Sequence, residues 1–154
     1  MDRIYNRRDL DRAEEILIKE GVSCVLVKGE DILKTGKRGV KPLLDLIDSG
    51  TDVSGYSAAD KIVGKAAAML YKVLGVGAVY AVTMSENGDK ILADAGIYHE
   101  YAQKVEIIMN RTNTGMCPME ASVIDIDDPQ EAIAALKKKI AELSSAAAVE
   151  KEAK

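Results

Sequence analysis

The sequence predicts a single α/β domain built on a mixed sheet, with an antiparallel hairpin and parallel-paired strands. Three observations carry this. Residues 22–27 and 32–33 are short β-rich runs joined by Gly29-Glu30, the pattern of an antiparallel hairpin. From residue 78 onward, strand-like and helix-like segments alternate, which favours parallel pairing. At 154 residues, 47% of them hydrophobic, the chain suffices for one sizeable core and leaves little for a second.

Residues 9–20 place Leu10, Ala13, Ile16 and Leu17 on one helical face, and Gly21 stops the helix. Cys24 lies in the first strand of the hairpin that follows. Pro42, then Leu43, Leu44, Leu46 and Ile47, closed by Ser49-Gly50, mark a short helix. After a polar turn at 51–56, Ser57 and Asp60 read as a Ser-x-x-Asp cap opening a longer helix to about Leu74. That helix is apolar nearly all round and is expected to lie centrally against the sheet. Residues 78–83 read as a buried strand, 86–95 as a helix ended by Gly96, and 97–101 as another strand. A brief helical stretch at 105–109 is followed by a polar segment, and residues 122–126 supply the fifth strand. Asp128-Pro129 starts the last helix, which runs to about Leu143. The domain therefore covers residues 1–143, and residues 144–154 read as a polar Ala/Glu/Lys tail that frays. With no Trp and no Phe, the core falls to aliphatic side chains, and the tyrosines count for packing as much as for binding.

Charge and cysteine usage narrow the function classes. A net charge of -4, with the cations in short local groups, gives no extended nucleic-acid surface but leaves local anion sites open. No apolar run reaches membrane-spanning length, and Met1-Asp2-Arg3 lacks the hydrophobic core of a signal peptide, so a cytoplasmic location is expected. Two cysteines far apart suit a reducing compartment, although a single pairing stays open. One histidine and two separated cysteines do not cluster as zinc ligands, so no metal or cofactor is expected, although composition alone leaves carboxylate-bound magnesium open. Asp125, Asp127 and Asp128 form an acidic group, but Asp128 is better explained as a helix cap.

The richest segment is Asn110-Arg111-Thr112-Asn113-Thr114-Gly115-Met116-Cys117-Pro118-Met119-Glu120. Pro118 suits the first position of a helix and puts Cys117 at its cap, where the peptide dipoles favour a negatively charged sulfur. Asn110 and Arg111 can orient polar groups, and Glu120 can act on a bound proton. The plain alternative for Cys117 is a small packed hydrophobe. Lys61 and Lys65, four apart on the expected central helix, share one face and suggest a polar window onto a cleft, with Asp60 beside them. A solvated helix edge is the alternative. Gly36-Lys37-Arg38-Gly39-Val40-Lys41-Pro42 brings cations, Lys41 among them, and two glycines to a helix start, a setting for an oxyanion or simply a basic turn.

Four segments in order carry a family resemblance: residues 23–28, residues 36–43, Ala59-Asp60-Lys61-Ile62 and onward to Ala68, and residues 110–120. From about Leu10 to Leu143 the chain resembles domain of unknown function 1893, whose members look like the cytidine deaminase fold. The resemblance implies a three-layer α-β-α sandwich and no established activity. Zinc deaminases of that fold carry a His/Cys-x-Glu motif and a Pro-Cys-x-x-Cys motif at two helix starts. The corresponding stretches here look like Ala59-Asp60-Lys61-Ile62 and Ser85-Glu86-Asn87-Gly88, which lack the ligands.

The leading expectation is a metal-free small-molecule binding domain recognising a nucleotide or another anionic metabolite. Asp60, Lys65, Lys41, Asn110 and Arg111 are the expected binding residues. An enzyme of group-transfer or lyase type would use the same cleft, with Cys117 or Lys61 as nucleophile and Glu120 moving a proton. A third reading is an oligomeric or regulatory scaffold with a vestigial cleft, self-association being compatible with the sequence.

Overall fold

Helix α1 (Arg7–Glu20) begins at Asn6, whose side chain accepts the Asp9 N–H at 3.0 Å, and ends at Gly21 in the left-handed conformation, φ 66°. The computed structural model describes residues 4–37 and 39–152, with side chains through residue 145. Met1-Asp2-Arg3, Arg38 of the basic turn and the last two residues of the tail lie outside the described residues. The hairpin forms as expected, β1 (Cys24–Lys28) pairing antiparallel with β2 (Asp31–Thr35). Helix α2 (Lys41–Ser49) has Pro42 in its first turn and Gly50 as its left-handed stop. Then follow β3 (Ser57–Val63), α3 (Lys65–Leu74), β4 (Ala78–Ser85), α4 (Glu86–Asp94), β5 (Tyr98–Val105), α5 (Pro118–Val123) and α6 (Pro129–Glu152).

The five strands lie in the order β2-β1-β3-β4-β5. β1 is antiparallel to β2 and β3, whereas β3, β4 and β5 are parallel. Alternation along the strands sends side chains to two cores. Val25, Val27, Ala59, Ala78 and Tyr80 meet Leu10, Ala13 and Leu17 of α1. Their neighbours Leu26, Ala58, Val79 and Ala81 join Leu43, Leu44, Ala66–Tyr71, Leu92, Val123 and Leu136 from α2 to α6. The result is the three-layer α-β-α sandwich on a mixed five-stranded sheet. Leu10, with no exposed surface, contributes about 2 kcal/mol by burial alone.

Three expectations are corrected. Residues 57–63 are strand β3, with Ser57 buried between β1 and β4, and the following helix starts at Gly64. Lys61 and Lys65 therefore share no helical face: Lys61 is exposed on the strand and Lys65 is the first residue of α3. Residues 122–126 are not a strand, because Val123 closes α5 and packs into the core. Residues 105–109 are not helical; β5 ends at Val105 and Met109 instead bridges to Met116. In addition α6 runs past Leu143 to Glu152, since the Ala/Glu/Lys composition favours helix and no Gly or Pro interrupts it.

Candidate functional site

The parallel strands β3 and β4 both end where a helix starts, α3 after Gly64 and α4 after Ser85, so two helix N-termini converge at the carboxyl ends of two interior strands. They are in close contact. A Cβ added at Gly88 would meet the Val63 and Gly64 carbonyl oxygens at 2.8 and 3.1 Å, so the glycine is needed for this approach. Ser85 caps α4, its buried hydroxyl accepting the Gly88 N–H at 3.0 Å.

The start of α3 is capped from a distance. Glu120 of α5 accepts the Lys65 N–H at 2.7 Å and the Ala66 N–H at 2.8 Å, one on each carboxylate oxygen. Gly64 leaves the room, since a Cβ there would fall inside the Glu120 carboxylate and 2.9 Å from Ile108 Cγ1. Burial pushes the Glu120 carboxyl above its ordinary range, and the two amides and Lys65 pull against that shift. Lys65 returns the contact: its buried side chain donates from Nζ to the Ile124 carbonyl at 2.8 Å, at the far end of α5. Asp127 stands 3.6 Å from the same Nζ but is fully exposed and adds little.

Between β5 and α5 the chain makes a narrow arm. Cys117 N–H donates to the Ile108 carbonyl and Asn110 N–H to the Gly115 carbonyl, both at 2.8 Å, with Met109 bridged to Met116. Asn110 holds the tip, its Oδ1 accepting the Thr114 N–H at 3.0 Å, while Asn113 takes the left-handed conformation at φ 57°. Ser85, Asn87, Glu106, Ile107, Ile108, Met116, Glu120 and Ile124 line a shallow crevice between this arm and the two helix starts.

The expected site residues are thus divided. Cys117 is the cap of α5, as expected, a free and partly exposed thiol. Glu120 and Lys65 come together, but as reciprocal helix-end contacts. Asn110 shapes the arm, and Arg111 is exposed on its tip. Lys61 points its ammonium toward the Gly21 carbonyl, 3.5 Å away, and is not brought to Cys117. Lys41 pairs with Asp45 on the surface of α2 at 3.1 Å. Asp60 sits opposite Cys24 on the sheet and accepts the Tyr71 hydroxyl at 2.6 Å; Tyr71 in turn is 3.3 Å from Cys24 Sγ. Burial raises the Asp60 carboxyl to about 6, against the pull of the Tyr71 hydrogen bond, and raises the Cys24 thiol as well. Asn87 and Glu106 belong to the crevice without having been expected there. The only local sign was Ser85-Glu86-Asn87-Gly88 at a helix start.

The donor set does not suit a deaminase zinc. At the two helix starts stand Gly64-Lys65-Ala66 and Ser85-Glu86-Asn87, with neither sulfur nor imidazole. Cys24 lies under α3, Cys117 caps α5, and His99 is engaged with Asp89 at 2.5 Å. Among the described residues no group of three or more Cys, His, Asp and Glu is placed to hold a metal. None of their helices is long and apolar enough to cross a membrane.

Comparison with a solved structure of 27% identity agrees with this architecture. The family model described as Domain of unknown function (DUF1893) matches residues 12–140. The crystal structure of a DUF1893 family protein from Thermotoga maritima superposes with a TM-score of 0.82 at 27% identity, covering 90% of this chain and 95% of that one. A dCMP deaminase from the cyanophage S-TIM5, in apo form, matches at a TM-score of 0.40 and 17% identity, covering 64% of this chain and 94% of that one. No curated protein matches the chain.

Proposed function

The chain belongs to the DUF1893 family, and we propose that it is a small-molecule binding domain whose ligand seats in the crevice at the carboxyl ends of β3 and β4. One observation carries the reading: two helix starts and the arm converge there, with Asn87 and Glu106 beside the apolar Ile107 and Met116. Open α/β sheets bind ligands outside the carboxyl ends of their strands, and a few polar groups set against apolar walls fix orientation. The ligand class is a nucleotide or another anionic metabolite. Asn87 hydrogen-bonds its polar edge, and Arg111 on the arm supplies positive charge. Lys61 and Lys41 are not part of this site. Binding is metal-independent, in keeping with a donor set that offers zinc no cluster.

The enzyme reading keeps one observation in its favour, the free and partly exposed Cys117 thiol, next in sequence to the crevice residue Met116 and three residues from Glu120. Incubation with a metabolite mixture followed by mass spectrometry separates the two. Retained ligand, lowered at least tenfold by Asn87→Ala and unchanged by Lys61→Ala, supports binding. Depletion with a new product that Cys117→Ser abolishes supports catalysis. Neither retention nor product in the wild type would refute both.

A further inference from the structure

We propose that α5 is a closing plug over the crevice, fastened by the reciprocal Glu120 and Lys65 contacts, and that ligand access requires Glu120 to withdraw from the start of α3. The inference rests on the small-molecule reading and adds how entry to that site is controlled.

Three features support it. First, the fastening is polar at both ends. Glu120 satisfies two amides of α3, and Lys65 of α3 satisfies a carbonyl at the end of α5. Each of these groups can exchange its protein partner for water when α5 moves away, so the fastening is one that can be undone and remade. Second, the arm leading to the six-residue helix is exposed at Glu106, Ile107, Met109 and Arg111–Thr114, while Ile108 is buried and Asn110 and Gly115–Cys117 are half-buried. Such an exposed segment opens at lower free energy than the core, whereas α5 itself is held by buried Glu120 and Val123 and by its packing on α6. Third, Glu120 and Ile108 together fill the space above Gly64, and both line the crevice. Their withdrawal deepens the crevice against α3 while the sheet stays intact. Val123, buried among core residues, acts as the pivot on which α5 remains attached.

Amide hydrogen exchange tests this without any ligand. The Lys65 and Ala66 amides should exchange at least 100-fold faster than those of Val79 and Ala81 in β4, through openings insensitive to denaturant. Lys65→Met and Glu120→Gln should each speed exchange at Lys65 and Ala66 about tenfold or more while leaving β4 protection unchanged. Lys65→Met perturbs the fastening from the opposite end and keeps the test decisive if Glu120→Gln does not fold. Exchange of these amides only together with β4, in the wild type, would overturn the proposal. A plug that opens in a protein that retains no metabolite would instead sink the binding reading alone.

Discussion

Replacing Gly64 by alanine tests the contact on which the candidate site is organised. The added methyl group would occupy the place of the Glu120 carboxylate, and neither partner has slack, since both carboxylate oxygens are held by backbone amides. Glu120 must leave. Two hydrogen bonds to a charged acceptor, each worth about 1.5–3 kcal/mol, are lost, and hydration of the released carboxylate returns part of that. The Ile108 contact at 2.9 Å adds a packing cost of about 1 kcal/mol. The net expectation is a loss of about 3–5 kcal/mol, roughly 10 °C in Tm for a domain of this size. Urea unfolding of wild type, Gly64→Ala, Glu120→Ala and the double variant closes a thermodynamic cycle. Without the Glu120 side chain the methyl group has room, so Gly64→Ala should cost less than about 1.5 kcal/mol in the Glu120→Ala background. An equal cost in both backgrounds would refute the argument that Gly64 is there to admit Glu120.

Ser85→Ala should cost about 1 kcal/mol by leaving the Gly88 amide without its cap, read as a shift in urea midpoint at constant m. Asp60→Asn should change the pH dependence of stability. The folded carboxyl stands at about 6, above its ordinary 3.8, so the stability it contributes is full below about 3.8 and is lost as pH rises through 6. The variant should therefore gain about 1–3 kcal/mol relative to wild type at pH 7 and show a flatter profile between pH 4 and 6. Asp89→Ala should act in the opposite sense. Burial works to raise this carboxyl, but hydrogen bonds from His99 and Lys104 leave it below its ordinary range. Its contribution, present at neutral pH, should fade as acid titrates it, so the gap between wild type and variant should narrow in acid melts.

How much of this was legible in the sequence depended on whether the determining contact was local. Gly21, Pro42, Gly50 and the Cys117-Pro118 pair act on their own neighbours, and the element ends they mark fall where the chain's punctuation puts them, whereas α1 starts at Arg7 behind Asn6, two residues before the expected residue 9. The Ser57-x-x-Asp60 spacing misleads because the same side chains serve a buried strand, where Asp60 bonds Tyr71 eleven residues away. The decisive break was Gly64, which reads as a tolerated glycine inside a helix until Glu120 is seen to need its place. Val123 and Ile124 have β-branched side chains, yet proximity to Pro118 and burial of Val123 hold them at the end of a helix. The Glu120 contacts join residues 54 and 55 positions apart, and no periodicity announces such a pairing.

The place where a ligand binds decides whether the crevice is the functional site. Amide chemical-shift mapping of the 15N-labelled protein, titrated with nucleoside monophosphates and a pool of phosphorylated and carboxylated metabolites, addresses that directly. The expected result is saturable shifts clustered at Gly64–Ala66, Asn87–Gly88, Glu106–Ile108 and Met116–Glu120, lost in Asn87→Ala. Saturable shifts confined to the Gly36–Lys41 turn or to the surface around Lys61, with the crevice unmoved, would contradict it.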